Sequence, residues 1–168
     1  PQDTQDIITA VRCVAKLHTK ANPIHLTPRA AGSGLSGGSL NDSIVIDTHA
    51  HLDTIHNETL NDEGIVYECS PGVMYRDLEQ AMDKAGVYIP SYPASKDICS
   101  VGGMVANNAA GADTYGYRHT AQFVRAINIV LADGNEYHVK PLEWSEFEQE
   151  LERDDALGEI YRHIWELC

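Results

Sequence analysis

Basic residues, long apolar runs and paired cysteines are all scarce in this sequence, and each absence excludes a class of protein. The 168 residues contain 12 Lys and Arg against 25 Asp and Glu, which gives a formal net charge of −13. Binding to nucleic-acid phosphates draws on clustered Lys and Arg, so we expect no nucleic-acid partner. No apolar run approaches the roughly 18 residues of a membrane-spanning helix, and no basic segment precedes a short apolar one. We therefore expect no transmembrane segment and no secretion signal.

The cysteines form no framework. There are four, far apart and without a Cys-x-x-Cys pair: Cys13, Cys69, Cys99 and Cys168. This spacing argues against a structural zinc site and against a small disulfide scaffold. Reduced thiols are typical of the cytoplasm, which is the compartment that we expect. Peripheral attachment of a longer parent protein to the inner membrane stays open.

The pattern of apolar residues predicts a mixture of helices and short strands. Helices are expected over residues 3–20, 74–84 and 143–168, the last of them broken near Asp154 and Asp155. Strands are expected over residues 24–27, 43–47, 64–70, 123–131 and 135–139, with the second of them buried. Asp133-Gly134 is a hairpin turn between the last two strands. The chain therefore reads as one mixed α/β or α+β domain.

The most informative segment is glycine-rich and spans residues 28–39. Four glycines and three serines follow a predicted strand. Glycine permits a positive φ, so successive backbone N–H groups can turn inward around an anion, and serine hydroxyls can donate to the same oxygens. The segment lacks the Gly-Lys-Ser/Thr ending of a P-loop and the Rossmann glycine spacing. It predicts a pyrophosphate site made without lysine, and a flexible surface loop is the alternative.

Small residues crowd a second segment, residues 90–116. Val101-Gly102-Gly103 leads into a short predicted helix whose free N–H groups would face an anionic or electron-rich ring. So many small side chains also let the backbone approach something flat and bulky. Tight helix–sheet packing is the alternative, and it is the interpretation that we favour for Ala106, Ala109 and Ala110.

One motif points to different chemistry. Residues 47–51 read Asp-Thr-His-Ala-His, an Asp-x-His-x-His pattern similar to the metal-binding opening of TIM-barrel amidohydrolases. Two histidines at i and i+2 on a strand share one face, so His49 and His51 suit a shared metal ion. That fold needs about 250 residues and carries the motif on its first strand. We therefore assign no metal, and a metal-dependent hydrolase is kept as an alternative.

Six blocks of residues occur in one order along the chain. They are Pro28-Arg29-x-x-Gly32-x-Gly34-Leu35-Ser36-Gly37-Gly38, Pro71-Gly72-Val73, Pro93-x-Ser95, Val101-Gly102-Gly103-Met104-x-x-Asn107-x-x-x-Gly111, Tyr115-Gly116 and Val130-Leu131-Ala132-Asp133-Gly134. In this order the chain resembles the FAD-binding domain of the vanillyl-alcohol oxidase / para-cresol methylhydroxylase superfamily. The branch that it resembles is the FAD-linked 2-hydroxy-acid dehydrogenases, which act on D-lactate, glycolate and D-2-hydroxyglutarate.

The resemblance implies an α+β fold of the para-cresol methylhydroxylase type, in which two α/β subdomains hold the FAD between them. It implies an FAD-binding domain over residues 1–142 and a helical C-terminal extension over residues 143–168. That extension would lead toward a cap and substrate region, and in large members toward a region with an iron–sulfur cluster. We expect the chain to be the FAD-binding part of a longer enzyme.

The resemblance also implies cofactor-binding residues. The backbone amides from Arg29 to Ser36 would wrap the pyrophosphate, and residues 93–95 and 99–103 would line the flavin ring or its ribityl chain. The full set is Arg29, Ala30, Ala31, Gly32, Ser33, Gly34, Ser36, Gly37, Pro93, Ala94, Ser95, Cys99, Ser100, Gly102, Gly103, Asn107, Gly111 and Gly116. Ala30 and Ala31 stand where relatives often have glycine. Ser33 stands where covalent relatives have histidine, so we expect noncovalent FAD.

The implied reaction is oxidation of a D-2-hydroxy acid to the 2-oxo acid, with hydride transfer to flavin N5 while a base takes the hydroxyl proton. In the family, the base and the groups that clamp the substrate come from later segments. We therefore assign no catalytic residue here, expect this chain alone to be inactive, and leave the electron acceptor open. A non-catalytic FAD-binding module is the remaining alternative.

Overall fold

The computed structural model describes residues 1–61 and 64–168. They form two compact units, one of residues 1–3 and 24–124 and the other of residues 4–23 and 125–168. Each unit combines helices with short strands, so the expected α+β class is confirmed. Among the described residues, no helix has both the length and the apolar character that crossing a membrane requires.

The first unit begins with two parallel strands, β1 (Leu26–Arg29) and β2 (Ile44–Asp47). The prediction of a strand over residues 24–27 was displaced by two residues, because pairing with β2 sets the register and takes in Pro28. Proline is tolerated where the edge of a sheet needs no N–H donor. The expectation that β2 is buried was wrong, since only Ile46 of its four residues is buried in this two-stranded sheet.

An antiparallel hairpin of β3 (Ile55–Asn61) and β4 (Gly64–Cys69) follows. The sequence predicted β4 but not β3, whose residues are mostly polar and are poor strand formers. Cross-strand pairing compensates for this weak propensity, as where Asn57 Nδ2 donates to Glu68 Oε2 at 2.8 Å.

The core of the first unit lies around helix α2 (Tyr75–Lys84), which the sequence predicted. Its buried residues Tyr75, Leu78 and Met82 recur at helical spacing. They pack with further buried residues from the two segments that flank α2, namely Val73, Cys99, Met104 and Ala109. The core thereby holds the middle of the second small-residue segment, from Cys99 to Ala109.

The remaining elements of this unit are α3 (Val101–Ala106), α4 (Thr114–Tyr117) and a 3-10 turn at Thr120–Phe123. That turn corrects the prediction of one strand over residues 123–131. Thr120 Oγ1 donates to the Ala109 carbonyl at 2.9 Å, and the Ala121 N–H donates to Asn108 Oδ1 at 3.0 Å. These bonds hold the segment against the first unit, so the strand begins only at Ile127.

The second unit contains α1 (Thr4–Leu17), the antiparallel strands β5 (Ile127–Val130) and β6 (Glu136–Val139), and two C-terminal helices, α5 (Trp144–Leu151) and α6 (Ala156–Leu167). The predicted hairpin turn is confirmed, with Gly134 at φ +75°. The predicted helix break is confirmed too. There Asp155 caps α6 by accepting a hydrogen bond from the Gly158 N–H at 2.9 Å, and Arg153 bridges Glu150 and Asp155.

Candidate functional site

The two segments rich in small residues meet in the first unit. The Ala31 N–H donates to Ser100 Oγ at 3.1 Å, and Ser100 is the buried residue immediately before α3. Nearby, the Cβ of Ala30 lies 3.8 Å from the place where a Cβ on Gly103 would stand. We call this arrangement the glycine cradle and define it as residues 29–37 together with residues 100–103. It brings together predicted site residues that are far apart in the sequence.

The glycine-rich loop leaves the end of β1 through a fixed carbonyl and a tight turn. The Arg29 carbonyl accepts hydrogen bonds from the Thr48 N–H at 2.8 Å and from Thr48 Oγ1 at 3.3 Å. Gly32 follows at φ +68°, and a Cβ there would lie 2.7 Å from Nε of Arg29 and 2.9 Å from Nη2. Position 32 therefore requires glycine for two reasons. Its backbone has a positive φ, and the Arg29 guanidinium lies where a side chain would begin.

The other loop glycines differ in what they require. Gly37 has φ +73°, whereas Gly34 has no positive φ and a Cβ there would meet nothing within 4 Å. In the described part of the chain, the non-glycine residues with positive φ are Asn108 and Arg118, so the two alanines at positions 30 and 31 adopt ordinary backbone conformations. Alanine therefore fits at positions 30 and 31, where relatives often have glycine.

Backbone donors line the loop. The Ala31 amide is used by Ser100, but the N–H groups of residues 32–36 donate to no acceptor in the described residues. The half-buried Arg29 guanidinium lies beside them, and among the described residues it has no ion-pair partner. A run of free amides next to an unpaired cation fits a diphosphate, because both offer positive charge to its oxygens.

The start of α3 is held in place by Pro71 and Gly72. The Gly102 N–H donates to the Pro71 carbonyl at 2.9 Å, and a Cβ on Gly102 would lie 2.6 Å from that of Pro71. Gly72 in turn packs against the carbonyl oxygens of Thr48 and Leu52. In the sequence, the Pro71-Gly72-Val73 block is one of the six blocks on which the resemblance depends. In the structure, this block holds α3 beside the loop.

The far side of the second segment is closed by Gly111. A Cβ on this residue would collide with the Tyr92 carbonyl oxygen and approach Pro93, and its N–H donates to Thr114 Oγ1 at 2.7 Å. Gly111 thereby brings the Pro93 segment beside the start of α4. By contrast, three predicted site residues of this segment are exposed: Ala94, Asn107 and Gly116. A Cβ on Gly116 would meet nothing within 4 Å.

Cys99 and Ser91 of this region are buried, and neither offers a reactive group. The Cys99 thiol is buried, and burial raises its pKa, so it stays protonated at neutral pH. This suits the cofactor-lining role that the resemblance implies for Cys99. Ser91 is fully buried, and its hydroxyl has no hydrogen-bond partner among the described residues.

The histidine motif has a structural task. His49 Nδ1 is hydrogen-bonded to the Gly72 carbonyl at 2.9 Å, and the His49 N–H donates to Asp47 Oδ1 at 2.8 Å. Within the described residues, no group of three His, Cys, Asp or Glu side chains is placed to hold a metal ion. The metal-dependent hydrolase is therefore not favoured. The member of the motif that contacts the glycine-rich loop is the buried Thr48, whose N–H and hydroxyl both donate to the Arg29 carbonyl.

Comparison with known proteins decides the family. A family model described as FAD binding domain matches residues 1–140. The chain belongs to this family. The resemblance drawn from the six blocks is confirmed, and FAD is the cofactor that membership indicates.

Relatives extend the likeness to named enzymes. The chain is 26% identical to a D-2-hydroxyglutarate dehydrogenase of Pseudomonas putida over 167 residues, which are 99% of this chain and 16% of that enzyme. It is 36% identical to a D-lactate dehydrogenase of Anaerostipes hadrus over 128 residues, which are 74% of this chain and 26% of the relative. The chain thus spans only a small part of the relatives that it matches.

Solved structures share the fold. Superposition on 6-hydroxy-D-nicotine oxidase from Arthrobacter nicotinovorans gives a TM-score of 0.69 at 20% identity, covering 87% of this chain and 30% of the other. Glucooligosaccharide oxidase from Acremonium strictum, which contains a 6-S-cysteinyl, 8α-N1-histidyl FAD, gives 0.60 at 23% identity, covering 83% and 28%. The expected flavoenzyme fold is confirmed.

Two buried serines provide a matched test of the cradle. Ser100→Ala removes the acceptor of the Ala31 N–H, so we expect the free energy of unfolding to fall by about 1–2 kcal/mol. Ser91→Ala removes an equally buried hydroxyl that makes no hydrogen bond, so stability is expected to stay the same or rise. Urea unfolding measures both. Equal losses in the two variants would show that the Ser100 bond contributes nothing specific.

Proposed function

We propose that the chain binds noncovalent FAD in the glycine cradle and is the FAD-binding portion of a longer flavin-dependent oxidoreductase. The proposed reaction of that enzyme is oxidation of a D-2-hydroxy acid to the 2-oxo acid. The observation that carries the proposal is the Ala31–Ser100 contact, which joins the two predicted cofactor segments and leaves the amides of residues 32–36 free.

The pyrophosphate would be held by the loop. We propose that the N–H groups of residues 32–36 donate to its oxygens, helped by the hydroxyls of Ser33 and Ser36. Arg29 is the only Lys or Arg in residues 28–40, and its guanidinium already lies against Gly32. The guanidinium would supply a full positive charge to the pyrophosphate, whereas the backbone amides supply only partial positive charges. The Ala31 amide belongs to the stretch that was predicted to wrap the pyrophosphate. It would instead fix the loop to α3.

The flavin would lie against the second segment. Pro93, Ala94, Ser95, Cys99, Ser100, Gly102 and Gly103 would line it, and Asn107, Gly111 and Gly116 would complete the wall. When bound, FAD supplies the two-electron acceptor for the oxidation. This chain would bind and orient the cofactor, and the protonated Cys99 would stay chemically inert beside it. A serine at position 33 supports noncovalent attachment, because a hydroxyl is not the imidazole of a histidyl–flavin link.

The substrate and the catalytic groups are proposed to belong to the whole enzyme. The names of the relatives support the D-lactate, glycolate and D-2-hydroxyglutarate class, with a small hydroxy acid as substrate and an electron acceptor still to be found. The base and the substrate clamp would lie outside residues 1–168. We also propose the division into an FAD-binding domain (1–142) and a helical extension (143–168), which the family match over residues 1–140 supports. The cytoplasm is the proposed compartment.

Gly34 allows cofactor binding to be tested apart from folding. Because the position has no positive φ and no neighbour within 4 Å, Gly34→Val is expected to leave the melting temperature of the cofactor-free chain unchanged. The added side chain would stand among the free amides and keep a diphosphate away. We expect at least a tenfold rise in the FAD dissociation constant, measured by flavin fluorescence.

Gly38→Val is the matched control. A Cβ at position 38 has only Ser36 Oγ nearby, at 4.0 Å, and this glycine is not among the proposed cofactor-binding residues. Its FAD affinity should equal that of the unmodified chain. If Gly34→Val binds FAD as tightly as Gly38→Val does, the pyrophosphate is held elsewhere.

Turnover by a longer polypeptide that contains this chain tests the proposed reaction. With an artificial dye as acceptor, we expect oxidation of at least one of D-lactate, glycolate and D-2-hydroxyglutarate, and at least a hundredfold lower rates with L-lactate and L-2-hydroxyglutarate. FAD bound in full with no turnover of any of them would favour a non-catalytic FAD-binding module.

A further inference from the structure

His49 belongs to the Asp-x-His-x-His motif and lies outside the proposed cofactor contacts. Its ring is attached through Nδ1, which lies 2.9 Å from the Gly72 carbonyl oxygen. A carbonyl oxygen only accepts hydrogen bonds, so Nδ1 carries the hydrogen and His49 is the donor. The backbone of His49 is fixed as well, because its N–H donates to Asp47 Oδ1 at 2.8 Å. His49 therefore presents one oriented donor to one backbone carbonyl.

Gly72, which accepts this bond, is packed against the backbone that follows β2. Its own N–H donates to the Leu52 carbonyl at 2.7 Å. A Cβ on Gly72 would collide with the Thr48 carbonyl oxygen and would lie 2.8 Å from the Cα of His49. Among these contacts, the bond from Nδ1 is the one that a side chain makes. It can therefore be removed by a substitution that leaves the backbone contacts in place.

The residues on either side of Gly72 hold the start of α3. The Gly102 N–H donates to the Pro71 carbonyl at 2.9 Å. The Val101 N–H donates to the Val73 carbonyl at 2.8 Å. Because Gly72 lies between these two acceptors in the chain, a shift of Gly72 would move both of them and the start of α3 with them.

These contacts close a circuit around the glycine cradle. The Ala31 N–H donates to Ser100 Oγ immediately before α3, and the Arg29 carbonyl accepts hydrogen bonds from the N–H and the hydroxyl of Thr48. The circuit runs from the glycine-rich loop to α3, from α3 to Gly72, and from Gly72 back to the loop through the two residues that follow β2. Each link restricts the others, so loosening one gives the rest more freedom.

We propose that His49 is a positioning residue of the FAD site, which acts through Gly72 to set the place of α3 relative to the glycine-rich loop. The inference rests on the proposed function, in which the glycine cradle holds FAD. His49 itself would touch no atom of the cofactor. It would keep the amides of residues 32–36 and the start of α3 at the separation that suits the cofactor, as supporting hydrogen bonds do for the residues that contact a ligand.

The affinity for FAD tests this role, because a site that is already in place costs less to order on binding. His49 is exposed, so its replacement leaves no cavity in the core. His49→Ala removes the donor and should raise the FAD dissociation constant about three- to tenfold, the range that one hydrogen bond allows. His49→Asn should restore the affinity, because its amide nitrogen can stand near the position of Nδ1. His49→Gln places its amide nitrogen near the position of Nε2 and should bind FAD as weakly as His49→Ala.

His51→Ala is the matched control. His51 is the other histidine of the motif, is exposed, and makes no hydrogen bond within the residues that the structure describes. Its removal should leave the FAD dissociation constant of the chain unchanged.

A second measurement needs no cofactor. In the FAD-free chain, His49→Ala should speed the amide exchange of Gly102 and Ala31, whereas the amides of α2 should keep their rates. His51→Ala should leave the exchange of all these amides unchanged.

Three results would overturn the proposal. Unchanged FAD affinity in His49→Ala would show that the cradle does not need this link. Equal weakening in His49→Ala and His49→Asn would show that the Nδ1 donor is not the group that acts. Faster exchange throughout the first unit would mean a general loss of stability. A lack of FAD binding by the unmodified chain would instead contradict the proposed function, and the exchange rates of the FAD-free chain would still show whether His49 holds the cradle.

Discussion

A single hydrogen bond between two distant segments, from the Ala31 N–H to the Ser100 hydroxyl, is the contact on which the proposed cofactor site depends. It joins residues that are 69 positions apart. It thereby attaches the glycine-rich loop to a buried residue at the start of α3. α3 is itself held against Pro71, and Gly72 is held against the segment that follows β2. The flexible loop thereby gains a fixed frame without losing its free amides.

An acidic chain that holds a dinucleotide faces an electrostatic conflict. A net charge of −13 repels a diphosphate, and few cations are available to attract it. In the proposed site the cradle would resolve this locally, since amide dipoles and one guanidinium would act at hydrogen-bond range, whereas the overall charge is screened by salt.

The backbone conformation of single residues could be predicted from the sequence. Which residues far apart in the chain bond to each other could not. Gly32 and Gly37 have the positive φ that a glycine-rich loop suggests, and Gly134 has it in the turn of the predicted hairpin. The order of such glycine blocks was enough to predict the family. Ser100 could not be singled out as the partner of Ala31, because any nearby hydroxyl has the same chemistry. β3 escaped prediction because its pairing with β4, not its own polar residues, makes it a strand.

The central claim is that the amides of residues 32–36 hold the diphosphate while that of Ala31 holds the loop. Amide hydrogen exchange of the chain with and without FAD measures this most directly, residue by residue. We expect the Ala31 amide to exchange slowly in both states, and the amides of residues 32–36 to exchange fast without FAD and slowly with it. Unchanged exchange at residues 32–36 in the presence of saturating FAD would contradict it.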